Sequence, residues 1–471
     1  MLTGTAIGEP VAVEEPPPKP AKPAEPTPPA EPSSAPPLTA ADVRGSALPG
    51  AEHGRLDRID PGDSAGRKFA AALLWIPRFP IQLALQPIRG ALYLKSRRAD
   101  AIESTVDSEA PPFEYAPMVL AETGLGFNAG LRVRFNDLLG LGERINARLA
   151  YGSSYKPIAM LGIEAGTGRI SGGIVGTYED AEQPFYGYGN GDATQATPID
   201  PLMSDAVSST QYEARLLQVG LDSRVRLPQD FSVKGATTLA RRSFEPDSPR
   251  DGELPIDEAF VVDGLPGFTT GTSSLYSELE LAWDTRRTHH EWDPPGMYGR
   301  GGRVAVFGGR YEGLRKDDPG MFRFGLDAQR FIPLTIGPRV LELRAHGEVV
   351  TGDRDEVPFA DLPRLGGSSV LRGYEVDRFR DRVAAVVQAN YRWRAASWLA
   401  MVLFVDVGRV YESLDKISFD NLRLGYGGAL EVYGGKSVFV RGQVASSIDG
   451  GVVFHFSFGP TFVSPSRGGR F

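Results

Sequence analysis

The chain contains no cysteine among its 471 residues, and this absence excludes disulfide frameworks and thiolate metal sites. It also lacks any uninterrupted apolar run of the ~18 residues that a transmembrane helix requires. A surplus of positive charge is missing as well, since 51 lysines and arginines stand against 59 aspartates and glutamates, for a net charge of −8. Because nucleic-acid-binding surfaces need clustered positive charge, we expect neither DNA nor RNA as a partner.

Apolar and polar residues alternate in segment after segment between residues 111 and 462. In one such segment Leu341, Leu343 and Ala345 alternate with Glu342 and Arg344. A period of two is typical of β-strands that have one apolar and one polar face. A soluble β-sandwich alternates in the same way, so alternation alone does not decide the fold.

Segment length and aromatic placement favour a transmembrane antiparallel β-barrel. The segments are around ten residues long, as a tilted strand that crosses a bilayer requires, and the region accommodates about sixteen of them with their turns. We therefore predict an all-β chain with a barrel at residues 111–462 and a tail at 463–471. Aromatic residues at the segment ends are those expected of interfacial girdles: Tyr115, Phe185, Tyr186, Tyr188, Tyr391, Trp393 and Trp398.

The first 110 residues have a different composition. Twelve prolines fall between Pro10 and Pro37, and because proline fixes φ and removes a hydrogen-bond donor, residues 1–65 are predicted to form a disordered Pro-rich tether. This tether could reach a periplasmic partner. In residues 66–110, prolines interrupt apolar stretches that end in basic residues, which predicts a short helical segment in two pieces. The segment either lies at a membrane surface or plugs the barrel lumen.

The most specific motif spans Leu371, Arg372, Gly373 and Tyr374. It follows Gly366-Gly367-Ser368-Ser369, and it precedes a strand that reads Phe404-Val405-Asp406-Val407-Gly408. Together these stretches resemble the signature of the BamA-like superfamily of outer-membrane assembly and secretion barrels, also called the bacterial surface antigen family. The resemblance covers residues 111–462. It implies a long external loop that folds back into the barrel, with an arginine at its tip held by acidic residues of the inner wall.

Carried onto this chain, the resemblance implies that Arg372 pairs with Asp406. Alternation supports this pairing, because it directs Phe404, Asp406 and Gly408 to the lumen, where an unpaired arginine would be costly. Gly373 would permit a close backbone approach, and Tyr374 would pack or hydrogen-bond at the wall. Where the family usually has an acidic residue, this chain has Asn390. That neutral anchor implies either a looser loop or compensation by Glu375 or Asp377.

The function implied by the resemblance is insertion or translocation of polypeptides at the bacterial outer membrane. Its partners would be an unfolded polypeptide client and outer-membrane lipid or lipopolysaccharide. The client would use a lateral seam between the first strand, 115–124, and the last, 451–462. Glycine and proline weaken strand pairing, so Gly124, Gly126 and Pro460 are expected to loosen this seam near Phe462. Phe462 ends a final strand that is similar to the C-terminal signal of outer-membrane barrels.

Three other hypotheses remain open: a passive or lipid-handling pore without a client, a tethering protein, and a soluble lipid-binding β-protein. No catalytic constellation, metal site or cofactor site emerges from the sequence, so an enzyme is not expected. Residues 1–110 hold the tether and the short helical segment in place of the polypeptide-transport-associated domains usual in the family, which predicts a minimal member without them. An export signal is not recognisable after Met1, and we expect it upstream.

Overall fold

In a computed structural model of the chain, the structure describes residues 112–458 apart from 154, 191–209, 247–253, 289–296, 316–317, 319, 335–338, 397 and 435–436. The predicted tether, the predicted helical segment and the predicted tail lie outside the described residues. So do Pro460 and Phe462. Within the described residues, no helix is long and apolar enough to cross a membrane.

Sixteen antiparallel strands form one closed barrel, which confirms the predicted fold class and strand number. Each strand pairs with its neighbours in the chain, and β16 returns to pair with β1. The strands are β1 (Phe113–Glu122), β2 (Gly126–Asn136), β3 (Arg144–Gly152), β4 (Tyr155–Gly166), β5 (Ile170–Phe185), β6 (Thr210–Arg226), β7 (Phe231–Pro246), β8 (Thr272–Asp284), β9 (Tyr298–Gly313), β10 (Met321–Leu334), β11 (Arg339–Val350), β12 (Val383–Ala396), β13 (Leu399–Tyr411), β14 (Arg423–Gly434), β15 (Ser437–Ser447) and β16 (Gly450–Phe458).

Short elements lie in the connections. They are the helix Ile256–Ala259, the 3-10 turns Val262–Gly264, Phe359–Asp361 and Leu414–Lys416, and the two-residue strands Leu254–Pro255, Arg287–Thr288, Arg364–Leu365 and Phe379–Arg380.

The two faces of the wall have opposite character. On β13, Leu403 is 62% exposed towards the outside, whereas Asp406 is fully buried on the lumen side. Several lumen-facing charges are paired across neighbouring strands, for example Arg303 with Glu280, whose nitrogen and oxygen lie 2.5 Å apart. Pairing of this kind is needed because an unpaired charge removed from water is strongly destabilising. An apolar exterior around a charged, paired interior is the arrangement of a transmembrane barrel.

Strand length departs from the expected ten residues, because β6 has 17 residues whereas β1 has 10. The additional length of β6 lies towards its loop end. There the exterior face changes from apolar Leu217 to charged Arg215, which bonds Glu213 and Glu245 at 2.5 and 3.0 Å. Such an ion-pair network is stable only in contact with water or headgroups, so this part of the strand extends beyond the lipid. The apolar portion alone has the length that was expected.

The three longest connections, residues 186–209, 247–271 and 351–382, follow the odd-numbered strands β5, β7 and β11 and therefore lie at one end of the barrel. Beneath them is an aromatic cluster that includes Phe185, Tyr212 and Phe359. The expected girdle position of Phe185, Tyr186 and Tyr188 is wrong, since all three are buried. Phe185 shares the lumen face of β5 with Thr177 and Ala181, so the alternation of the strand directs it inward.

Candidate functional site

The connection between β11 and β12, residues 351–382, folds into the barrel lumen. We call it the inward loop. Two short strands, Arg364–Leu365 and Phe379–Arg380, pair with each other at its base. Its tip reverses at Gly366 and Gly367, whose φ values of 118° and 104° lie in the region that favours glycine. The tip is therefore a compact turn presented to the inner wall.

Arg372 occupies the centre of this contact. Its Nε and backbone N–H both donate to Asp406 Oδ2 at 2.8 Å, and its Nη2 donates to Asp406 Oδ1 at 2.5 Å. The guanidinium lies 3.8 Å from the ring centroid of Phe404. Gln388 adds a further bond to Asp406 Oδ2 at 3.0 Å. Arg372 is thus held by the charge of Asp406, by the aromatic face of Phe404 and by its own backbone N–H, in a site from which water is excluded.

Asn390 takes part in the same site as a neutral acceptor. Its Oδ1 accepts from Arg372 Nη2 at 2.6 Å. The expected compensation by Glu375 or Asp377 is wrong, because Glu375 accepts from Tyr186 at 2.6 Å and Asp377 accepts from Arg364 at 2.8 Å. Both carboxylates accept hydrogen bonds from other residues in or beside the loop, and Arg372 bonds Asp406 and Asn390 without them.

The backbone around Arg372 is strained and tightly enclosed. Leu371 has φ +50°, which is uncommon for a branched side chain, and it is fully buried in an apolar cluster that includes Phe379 and Val410. Gly373 has φ +106°, and a Cβ there would overlap the carbonyl of Ser446 on β15. Only glycine fits at this approach of loop to wall. The strain persists because the ion pair and the cluster fix the neighbouring residues.

Tyr374 reaches the turn between β15 and β16. Its hydroxyl donates to Asp449 Oδ2 at 2.8 Å, and its ring packs against Phe379 with centroids 4.9 Å apart. Burial of this loop residue, together with the bond to Asp449, raises the pKa of Tyr374 to about 12. The phenol therefore stays protonated and keeps its donor role at physiological pH.

Gly408 lies on β13 with Asp406, at a position where a Cβ would crowd Val386 and the Ala385 carbonyl on β12. It therefore lets β12 and β13 approach closely beside the loop contact.

Further anchors of the inward loop were not anticipated from the sequence. Arg242 of β7 bonds Asp361 at 2.6 Å, in a pair whose side chains are almost fully buried. Arg354 and Asp381 pair at 2.8 Å within the loop. Loops often contain solvated charges, so nothing in the local pattern distinguished these residues. Only the inward path of the chain brings them into a buried environment.

The seam between β1 and β16 is described over four residue pairs, from Val119 opposite Phe458 to Glu122 opposite His455. Beyond β1, Thr123 adds a backbone bond to the Phe454 carbonyl at 3.0 Å. Gly124 lies in the β1–β2 turn, and Gly126 pairs with Glu122 of β1 at its edge. The expectation that these glycines weaken the β1–β16 ladder is therefore wrong: their φ values of 86° and 63° serve the tight turn instead.

The inward loop also touches this seam. Glu122 Oε1 accepts from the Ser368 backbone N–H at 2.8 Å, and Glu122 Oε2 lies 3.3 Å from the Ser368 hydroxyl and 3.2 Å from His455 Nδ1. Gln443 of β15 donates to the Ser368 carbonyl at 3.3 Å.

A lumen cavity of about 420 Å³ borders the loop and both seam strands. The described residues contain no group of three or more histidines and carboxylates that could hold a metal ion.

A closed antiparallel barrel with a loop anchored inside it by a buried arginine defines a class of outer-membrane barrel, and comparison with known proteins identifies the family. Residues 204–462, more than half of the chain, match the Omp85 superfamily domain. The chain belongs to the Omp85 superfamily, whose BamA-like barrels the sequence resembles.

The chain is also similar to solved structures, one of which has a TM-score above 0.5 and supports the barrel fold. BamA from Haemophilus ducreyi lacking POTRA domains 1–3 matches with a TM-score of 0.51 and 13% identity, over 75% of this chain and 71% of that one. CdiB from Acinetobacter baumannii has a TM-score of 0.49 and 12% identity, over 75% of this chain and 61% of that one. CdiB from Escherichia coli has a TM-score of 0.48 and 13% identity, over 75% and 64% of the two chains. This chain thus spans less than two thirds of either CdiB structure. No curated protein sequence matches this chain.

Proposed function

We propose that this protein assists the insertion or translocation of polypeptides at the bacterial outer membrane, and that a client strand enters through the β1–β16 seam. The observation that supports it most is the joint arrangement of the inward loop and the seam. The loop is anchored by Arg372 on one wall and reaches Glu122 on the seam strand β1. A barrel that served only as a rigid support would have no need for a strained loop that contacts its closing strands.

Strand pairing is the chemistry proposed for client recognition. At the seam, β1 and β16 hydrogen-bond to each other through the N–H and C=O groups on their facing edges. Separation of the two strands would expose both edges inside the membrane. A client segment can satisfy those groups by adding as a new strand. No step of this process breaks or forms a covalent bond, and we propose a non-catalytic role that requires no cofactor.

The test is a disulfide across the seam. Leu120 and Ser457 are directly opposite, a spacing that suits a disulfide, and the chain has no other cysteine to interfere. The Leu120→Cys/Ser457→Cys protein in proteoliposomes should lose client insertion when oxidised and regain it on reduction. Each single-cysteine protein serves as the matched control. Full activity in the oxidised double variant would remove the seam from the mechanism.

The lumen cavity of about 420 Å³ favours a second candidate, a passive or lipid-handling pore without a client. Such a pore conducts through the lumen and does not need the seam to part. Ionic conductance that is equal in the oxidised and reduced double-cysteine protein, with no client inserted in either state, would favour the pore.

A further inference from the structure

We propose that Glu122 and the loop residue Ser368 form a latch that couples the inward loop to closure of the seam. This inference deepens the proposed function, and it assigns a positioning role to residues outside the Arg372 motif. In the latched state the loop tip holds β1 and β15, while His455 of β16 contacts the same carboxylate. Release of the loop from the wall would then loosen the seam, and opening of the seam would free the loop.

The carboxylate of Glu122 on β1 contacts both the inward loop and β16. Glu122 is the last residue of β1, and its two oxygens face Ser368 of the loop and His455 of β16. The side chains of Glu122 and His455 are only 10% and 11% exposed. Bonds to a charged acceptor in such a sheltered site are among the stronger hydrogen bonds in proteins.

Gln443 extends the contact to the third strand of this region. It donates to the Ser368 carbonyl at 3.3 Å, and it lies directly opposite His455 in the β15–β16 ladder. Ser368 therefore bridges β1 and β15, the strands on either side of β16. The φ of 104° at Gly367, in the region that favours glycine, explains why a glycine precedes the bridging serine.

The latch is connected to the Arg372 site through a short stretch of loop. The Gln388 side-chain amide donates to the Ser369 carbonyl, and it also donates to Asp406. Because Ser368 and Arg372 belong to one strained turn, displacement of Arg372 from Asp406 should move Ser368 away from Glu122. Interfaces with two discrete packings transmit a local change in this way.

The experiment measures seam closure without any client. Cysteines at Val119 and Phe458, which pair on the lipid-facing side, should cross-link rapidly in the otherwise unaltered chain under a membrane-permeable oxidant. Adding Glu122→Ala should lower the closed-to-open ratio of the seam by roughly tenfold or more, because each bond lost to a charged group is worth about one factor of ten or above, and cross-linking should slow as the closed population falls. Arg372→Ala should slow it as well, and the double variant should be little slower than the slower single variant.

Glu114→Ala is the matched control, since Glu114 occupies the same strand and pairs with Arg134 at 3.5 Å, distant from the loop. It should cross-link at the parental rate. Heat-modifiable gel mobility of each variant shows that the barrel is folded. Parental cross-linking in folded Glu122→Ala would overturn the latch, and an effect of Glu122→Ala without one of Arg372→Ala would overturn its coupling to the loop. Because no client is present, these results stand apart from failure of the client-insertion assay.

Discussion

Removal of the Arg372 side chain should detach the inward loop, and the structure gives the size of the effect. Arg372→Ala leaves the Asp406 carboxylate, which is fully buried, with Gln388 as its described side-chain partner. Breaking a buried pair by removing one member typically costs ~3–5 kcal/mol, because the other charge remains without compensation. This corresponds to a roughly hundred- to several-thousand-fold increase in the population of the detached loop.

Two assays test this expectation. Amide hydrogen exchange across residues 366–374 should accelerate strongly in Arg372→Ala, and the temperature of the heat-modifiable gel shift should fall. Asp406→Ala should weaken the loop in the same direction. The double variant should cost less than the sum of the single variants, by ~0.5–3 kcal/mol, because the two residues are in direct contact.

Arg310→Ala is the matched control for a lost arginine. Arg310 pairs with Glu312 at 3.4 Å on the barrel exterior, where both side chains are more than half exposed. Exposed pairs contribute at most ~1 kcal/mol, so this variant should behave like the parent protein. If Arg372→Ala exchanged no faster than Arg310→Ala, the buried pair would not be what holds the loop, and the reasoning would fail.

Two further predictions concern the same loop. Gly425→Ala should loosen it more than Gly428→Ala, since a Cβ at Gly425 would overlap the Arg372 carbonyl whereas one at Gly428 meets only ordinary contacts; equal exchange at Arg372 in both variants would contradict this. The raised pKa of Tyr374 means that its stabilising effect is complete below the ordinary tyrosine pKa of 10.0 and is lost as pH rises through about 12. Tyr374→Phe should therefore flatten the fall in heat resistance above pH ~10, and an unchanged pH profile would show that another group is responsible.

The side chains around the inward loop show which orientations the alternation of residues along a strand predicts. Alternation along β13 correctly directed Asp406 and Phe404 to the lumen, because a strand turns successive side chains to opposite faces. The same rule, applied to β5, would have directed Phe185 inward, yet its position at a strand end indicated a girdle. The error arose because a position near a strand end does not specify which face a residue occupies.

The sequence by itself determined the all-β class, the strand number and the polarity of the wall, because all three follow from a residue period of two and from segment length. Only the tertiary structure decided how Glu122, Ser368 and His455 meet, since they lie up to 333 positions apart and barrel closure brings them together. The tertiary structure also decided that Gly124 lies in a turn, and that Asn390 accepts the bond from Arg372 at the position where an acidic residue was expected. Such contacts depend on register and on the path of a long loop, and neither property has a local signature in the chain.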